Sequence, residues 1–281
     1  MKLPPWIKQK APNPVIIKQM KDTLDTLQLH TVCESAHCPN LGECFAKGTA
    51  TVMIMGNRCT RNCGFCAVES ANPLPLDPAE PAHVAAMAVK LKLRHIVITS
   101  VTRDDVEDGG ADHFAQTIKA VSKATPSTTV EVLIPDFKGN RKSIEKVIAA
   151  NPKIINHNLE TVPSLYEKVR PQAKYERSLA LLKTIKELDK SIYTKSGIMV
   201  GLGETFQEVI SLMEDLRQVK CDILTIGQYL RPSPLHLKIT EFIPPEVFTE
   251  YKNIGQQLGF THIASGPLVR SSYHADDFFC A

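Results

Sequence analysis

Thr51-Val52-Met53-Ile54-Met55 runs through Gly56 and Asn57 into Arg58-Cys59-Thr60-Arg61-Asn62-Cys63-Gly64-Phe65-Cys66, and these two pieces together decide the fold. The first is short and apolar, the pattern of a buried strand. The second sets three cysteines at C-x3-C-x2-C spacing on one loop. Thiolates packed this closely repel one another and oxidise, so the arrangement makes chemical sense when a cationic metal centre takes all three. A disulfide is the weaker alternative, because neighbouring cysteines on one loop seldom reach disulfide geometry and a pair would leave the third over. Structural zinc is the nearer rival, but its ribbons use C-x2-C pairs with a second pair roughly 12–20 residues on, and none follows here. A [4Fe–4S] cluster is the natural occupant, since it needs four ligands and three cysteines leave one iron open. Open metal sites are catalytic where closed ones are structural.

From the strand outward, short β-branched runs alternate with longer amphipathic stretches, the signature of βα units and a parallel sheet. The expected strands are Thr51 to Met55, His95 to Thr99, Thr129 to Ile134, Ile154 to His157, Ile192 to Val200 and Ile223 to Ile226. The expected helices are Pro78 to Leu93, Ala111 to Ser122, Arg141 to Ala150, Tyr175 to Leu188, Glu204 to Val219 and Pro245 to Leu258. Ahead of them, Asn13 and Pro14 open a helix carrying Ile16, Met20, Leu24 and Leu27 on one stripe. Parallel barrels build sites from loops at the carboxyl ends of their strands. The polar clusters fall there: Cys59 to Cys66, then Thr102-Arg103-Asp104-Asp105 with Asp108-Gly109-Gly110, then Asn156-His157-Asn158-Leu159-Glu160.

A second triplet, Cys33, Cys38 and Cys44, stands upstream at C-x4-C-x5-C spacing in a segment with Pro39, Asn40 and Gly42 that reads as an irregular loop around its own metal. Eight cysteines in all leave Cys221 and Cys280 unassigned. The first motif, with Phe65 before its last cysteine, resembles the radical S-adenosylmethionine (radical SAM) superfamily. Both triplets together with the closing Arg270-Ser271-Ser272-Tyr273 resemble the lipoyl synthase family within it. The likeness extends through Arg94 to Gly110, Asn156 to Arg177, Leu224 to Ser233 and Ser265 to Tyr273, with Thr102 departing from an acidic residue expected in relatives.

That resemblance implies a fold, α/β, a partial (β/α)6 TIM-type barrel with N- and C-terminal extensions that carry an auxiliary cluster. Residues 1–50 would be the N-terminal extension, 51–260 the radical SAM barrel and 261–281 the C-terminal extension. It also implies two [4Fe–4S] clusters and SAM as cofactors. Cys59, Cys63 and Cys66 would hold the cluster that reduces SAM, giving methionine and a radical that takes hydrogen from carbon. Cys33, Cys38, Cys44 and Ser272, with Ser271 as the alternative, would hold the auxiliary cluster whose sulfur enters C6 and C8 of an octanoyl chain. That chain would ride on a lysine of a lipoyl carrier domain, in 2-oxoacid dehydrogenase E2 subunits or the glycine cleavage H protein. Ferredoxin or flavodoxin would deliver electrons, and cluster carrier proteins would rebuild the cluster.

Gly197-Ile198-Met199-Val200-Gly201-Leu202-Gly203-Glu204 resembles the G-x-I-x-G-x-x-E pattern beside the SAM pocket of radical SAM enzymes, with Ile198 one residue off. Read without the resemblance it is equally a plain strand-to-helix turn starting a helix at Gly203-Glu204. SAM contacts are expected from Phe65, Asn156, Asn158, Glu160, Arg170, Gly201 and Glu204. His157 reads as either a SAM contact or a structural histidine. Arg170 and Arg231 read as partners of the SAM carboxylate or of surface acids, and Gln228 and Tyr229 as a channel lining. Asp104 and Asp105 read as a polar rim, because homolytic chemistry at unactivated carbon needs no acid–base pair.

At 281 residues and 43% apolar content the chain can bury a large core. A net charge of +3, from 33 Lys and Arg against 30 Asp and Glu spread along the chain, is no nucleic-acid signature. No apolar run approaches the roughly 18 residues of a membrane span. Met1 to Lys10 has prolines where a signal peptide needs its apolar segment. A cytoplasmic location is therefore expected, and oxygen-sensitive clusters suit a reducing compartment.

Overall fold

The structure, a computed structural model, describes residues 3–7, 14–32, 40 and 49–272. The chain forms two compact units, one of Ala11–Arg61, Val68–Ile155 and Ser272–Ala281, the other of Met1–Lys10, Asn62–Ala67 and Asn156–Ser271. They are called here the N-terminal and C-terminal units.

The N-terminal unit begins with α1 (Pro14–Thr26), whose Leu24 is buried. Strand β1 (His30–Thr31) pairs antiparallel with β2 (Thr49–Ile54). The cysteine loop leaves β2 through β3 (Arg58–Cys59) and returns through β4 (Glu69–Ser70), a two-residue parallel pair. Then follow α2 (Glu80–Lys90), β5 (His95–Ser100), α3 (Ala111–Ala124), β6 (Thr129–Leu133) and α4 (Arg141–Ala149). Strands β2, β5 and β6 are parallel neighbours, in register Val52↔Ile98 and Ile98↔Val132. Val52, Ile54, Ile96, Ile98 and Val132 are wholly buried, as are Val84 and Met87 of α2 and Phe114 and Ile118 of α3. Near-continuous apolar strands are what a parallel sheet covered on its faces requires. The start of α4 follows from Asn140, whose side chain accepts from Lys142 N at 3.0 Å. The short β7 (Ile154–Asn156), fully buried, comes next.

The C-terminal unit holds α5 (Tyr166–Val169), α6 (Tyr175–Leu188), β8 (Tyr193–Val200), α7 (Phe206–Gln218), β9 (Ile223–Gln228), α8 (Pro245–Gln257) and β10 (His262–Gly266). Strands β8, β9 and β10 are parallel neighbours, with Lys195 and His262 both aligned to Ile223. Residues 157–160 run beside β8 through His157 N to Lys195 O at 2.9 Å and Glu160 N to Gly197 O at 3.0 Å.

The strand–helix alternation is the one expected, and α6 has the expected limits. Several findings differ. Strand β10 and the short α5 were not foreseen, nor were the two-residue β1, β3 and β4. Helix α7 starts at Phe206 rather than Glu204, because Thr205 caps it in a reciprocal box with Glu208 and Gly203 lies at φ +120°. Helix α2 ends at Lys90, and Lys92 at φ +48° turns the chain toward β5.

Candidate active site

The cysteine loop departs from β2 at a strained turn, with Met55 at φ +66° and Gly56 at φ +85°. A non-glycine residue in that region costs on the order of 1–3 kcal/mol and persists only where its surroundings hold it. Here the buried Glu80 carboxylate accepts from Met55 N at 2.7 Å and lies 2.6 Å from His113 Nε2. Gly110, at φ +86°, allows the close approach, since a Cβ there would stand 2.2 Å from Met55 Sδ. Glu80 and His113 were not singled out in the sequence. They lie 33 residues apart on two helices, and nothing in either helix's own pattern marks the pairing.

Cys59 Sγ accepts from two backbone amides, Thr102 N at 3.3 Å and Arg61 N at 3.4 Å. Thr60 fastens the loop to the segment after β5: its N and Oγ1 both donate to Thr102 O, at 3.1 and 2.9 Å, and Asp104 N donates to its Oγ1 at 3.1 Å. The buried Arg61 guanidinium donates from Nε to Asp104 Oδ2 at 2.7 Å, from Nη2 to Asp104 Oδ1 at 3.0 Å and from Nη2 to Asp136 Oδ1 at 2.6 Å. Burial works against its charge, but the hydrogen bonds and charges of Asp104 and Asp136 outweigh it and hold its pKa above the ordinary arginine value. Asp104 is thus a buried-arginine partner rather than part of a polar rim. Asp105 is the rim residue, and hydrogen bonding from Arg103 holds its carboxyl below the usual range.

Residues Asn62–Ala67 belong to the C-terminal unit and are held differently. Gly64 N donates to Val169 O and Leu237 N to Gly64 O, both at 3.0 Å. His236 Nε2 lies 2.9 Å from Cys66 O. Phe65 packs on the buried cluster Val169, Leu202 and Tyr229. Gly64 has no room for a side chain, because a Cβ would stand 2.9 Å from Leu237 Cγ. Cys59, Cys63 and Cys66 are half-buried thiols, none of them in a disulfide. Among the described residues no three His, Cys, Asp or Glu side chains are grouped as ligands of one metal ion. What fits an iron–sulfur cluster is the chemistry of the donors: three reduced thiols on one loop, with amides already directed at Cys59 Sγ as they are at cluster thiolates.

The chain matches the radical SAM superfamily over residues 53–216 and the N-terminal domain of lipoyl synthase over residues 1–38. It is 60% identical to the lipoyl synthase of Caldanaerobacter subterraneus subsp. tengcongensis over 273 residues, 97% of this chain and 95% of that one. It is 51% identical to the lipoyl synthase of Caldicellulosiruptor saccharolyticus over 276 residues, 98% and 97% of the two chains. The chain belongs to the lipoyl synthase family. In fold it is similar to methylornithine synthase (TM-score 0.54, 14% identity, 81% of this chain and 76% of that one). It is likewise similar to the hydrogenase maturase HydG (TM-score 0.58, 14% identity, 80% and 58%). With the strand–helix alternation, these likenesses agree with the α/β, partial TIM-barrel type of fold.

For a member of the lipoyl synthase family the strand-end residues of the C-terminal unit are of most interest, and the structure links several of them. Asn158 Nδ2 donates to Glu160 Oε1 at 3.0 Å, and its Oδ1 is buried with no hydrogen-bond partner. Gly197 makes room for it, since a Cβ there would lie 2.9 Å from that oxygen. Glu160, at φ +68°, is half-buried; desolvation pushes its carboxyl up, against the Arg170 charge and the Asn158 hydrogen bond. Arg170 is buried, with Nη1 donating to Asn158 O at 2.8 Å and Tyr166 OH at 2.9 Å. Asn156 is wholly buried, while His157 Nε2 lies 2.9 Å from Ser178 Oγ, a structural role.

The Glu204 carboxylate accepts from Gly201 N and from Leu202 N, the latter at 3.0 Å, and so closes the glycine turn on itself. Gly201 lies at φ +95°, and a Cβ would stand 2.1 Å from Gln228 Nε2. Gln228 and Tyr229, expected to line a channel, are buried with their polar groups engaged by backbone. Gln228 donates to Val200, Tyr229 and Glu241 carbonyls and accepts from Ile243 N, and the Tyr229 hydroxyl donates to Leu237 O at 2.9 Å. Arg231 braces its own loop through His236 O and Pro234 O. Cys221 is a core residue whose thiol burial pushes up to about 12. Ser271 and Ser272 are half-buried; Cys33, Cys38, Cys44, Tyr273 and Cys280 lie outside the described residues.

Proposed function

We propose that this chain acts as a lipoyl synthase, inserting two sulfur atoms at C6 and C8 of an octanoyl group held on a lysine of a lipoyl domain. The observation that carries the proposal is identity of 60% to a lipoyl synthase over 97% of the chain. An alkyl C–H has no acidic proton and no leaving group, so the force must come from a cofactor and the orientation from the protein. Cys59, Cys63 and Cys66 would hold a [4Fe–4S] cluster that, when bound, leaves one iron open for SAM and supplies the electron for its reductive cleavage.

The chain's own residues then bind and orient. The amides of Arg61 and Thr102 offset thiolate charge at Cys59 Sγ. Asn158 Oδ1, buried and unpartnered, suits a hydroxyl or ammonium donor of SAM, because an unmet buried acceptor costs about 1–3 kcal/mol until a ligand meets it. Asn156, Glu160, Arg170, Gly201 and Glu204, with Phe65, would form the walls around it.

The second triplet, Cys33, Cys38 and Cys44, would bind the cluster that is consumed as the sulfur substrate, with Ser272 as fourth ligand and Ser271 the alternative. A serine oxygen suits iron less well than a thiolate, so that iron is the easier to lose. On this assignment residues 1–50 and 261–281 serve sulfur donation and 51–260 serve SAM. Octanoylated 2-oxoacid dehydrogenase E2 subunits and glycine cleavage H protein are the proposed carriers. Flavodoxin or ferredoxin is the proposed reductant, cluster carriers replenish the sulfur, and the cytoplasm is the proposed site. Among the described residues no helix is long and apolar enough to cross a membrane. Cys33→Ala should keep 5′-deoxyadenosine formation and abolish sulfur insertion; insertion retained in that variant would contradict the proposal.

A further inference from the structure

We infer that Arg61, clamped between Asp104 and Asp136, is a positioning residue that holds two backbone amides on the Cys59 sulfur and thereby raises the reduction potential of the cluster bound there. It rests on the role of Cys59 as a cluster ligand proposed above, and adds a group that does not touch the cluster itself.

Arg61 stands between the first two cysteines of the motif, a position exposed on most short loops, yet it is buried. A guanidinium out of water is tolerated only when its donors are met, and here three donor contacts of 2.6–3.0 Å reach two carboxylates. The two anchors come from different places. Asp104 follows β5, and Asp136 follows β6 at the head of a tight turn in which Phe137 and Lys138 both lie at positive φ, 45° and 52°. Asp136 also accepts from Lys138 N at 3.1 Å, and Lys138 Nζ donates to Asp104 O at 3.1 Å. The side chain is fixed at its far end by the segments that follow two neighbouring strands, which restricts the orientation of its own backbone amide. That amide points at Cys59 Sγ. The second amide, Thr102 N, sits in the segment that Thr60 and Asp104 lace to the loop. Arg61 therefore controls both amides, one directly and one through Asp104.

Hydrogen bonds to cluster sulfurs are among the levers that set cluster potential. An N–H dipole directed at a thiolate stabilises the reduced, more negative cluster more than the oxidised one. Loosening the clamp must lower the potential and make the cluster harder to reduce.

The test uses full-length protein in which Cys33, Cys38 and Cys44 are alanine, so that one cluster assembles, with its midpoint potential read by redox titration of the reduced-state paramagnetic signal. Arg61→Lys keeps the charge but loses the planar fork that reaches both acids. It should lower the potential by at least an amount equal to a threefold change in the reduction equilibrium, about 28 mV at 59 mV per tenfold for one electron. Asp136→Glu, which keeps every charge and displaces one anchor, should shift it the same way by less. Arg103→Lys, which changes a buried arginine of the same segment bonded to Asp105, should leave it unchanged. A parent protein that takes up no cluster overturns the ligand role of Cys59 and the inference with it. A loaded Arg61→Lys at the parent potential overturns the inference alone, and so does a lowered thermal midpoint with no change in potential, or an equal shift in Arg103→Lys.

Discussion

The two halves of one eight-residue loop, Cys59 to Cys66, are fastened by opposite chemistry. From Cys59 to Arg61 the fastening is polar and charged: amides on sulfur, a threonine laced to a neighbouring segment, and an arginine between two aspartates. From Asn62 to Cys66 it is backbone pairing and apolar packing, with Gly64 bonded to Val169 and Leu237 and Phe65 set in a cluster with Leu202 and Tyr229. Directional polar contacts suit a sulfur whose electrostatics matter. Packing suits a turn whose shape matters, because close-packed side chains resist displacement without adding charge.

Four results would break or sharpen that contrast. The largest effect is common to both halves: alanine at Cys59, Cys63 or Cys66 should reduce SAM cleavage to background, measured as 5′-deoxyadenosine, and activity surviving in any one of them would remove it from the ligand set. Next, Arg61→Ala removes a buried cation from between Asp104 and Asp136 and should cost about 3–5 kcal/mol in urea unfolding of the apoprotein. Changes in the packed half should cost less, since no charge is stranded. Phe65→Ala is expected to lose about 1–2 kcal/mol, and Gly64→Ala, forced against Leu237, about 1–3 kcal/mol. A cost for Phe65→Ala above that for Arg61→Ala would invert the contrast.

The smallest effect concerns pH. Burial raises the Glu160 pKa, against Arg170 and Asn158. The folded carboxyl then keeps a proton that the unfolded one has lost, so this group's contribution is most favourable below the ordinary glutamate pKa and declines as pH rises through the folded value. Glu160→Gln should show a flatter fall in apoprotein stability from pH 4.5 upward than the parent does. Parallel curves would show that the desolvation of Glu160 is fully compensated by Arg170 and Asn158.

The strand and the family were legible in residues 51–66, because a short apolar run and motif spacing are local features. The limits of α6 were legible for the same reason, through its 3.6-residue pattern. Strand β10 was not, since His262-Ile263-Ala264-Ser265-Gly266 has a single bulky aliphatic residue and owes its conformation to pairing with β9. The start of α7 is written in Thr205 and Glu208, just beyond the glycine turn from which the helix was expected to begin. Arg61 escaped notice because its partners lie 43 and 75 residues away. Gln228 looked like a channel residue at a strand end, yet its amide is fully engaged by backbone, a fact only tertiary structure supplies.

The most direct measurement is anaerobic reconstitution of the full chain, with iron and sulfide counted, followed by incubation with SAM, dithionite and an octanoyl-lysyl peptide and mass spectrometry of the products. The account predicts two clusters' worth of iron, about eight atoms, with 5′-deoxyadenosine and peptide carrying one or two sulfur atoms. Four irons, or 5′-deoxyadenosine formed with no sulfur on the peptide, would contradict it.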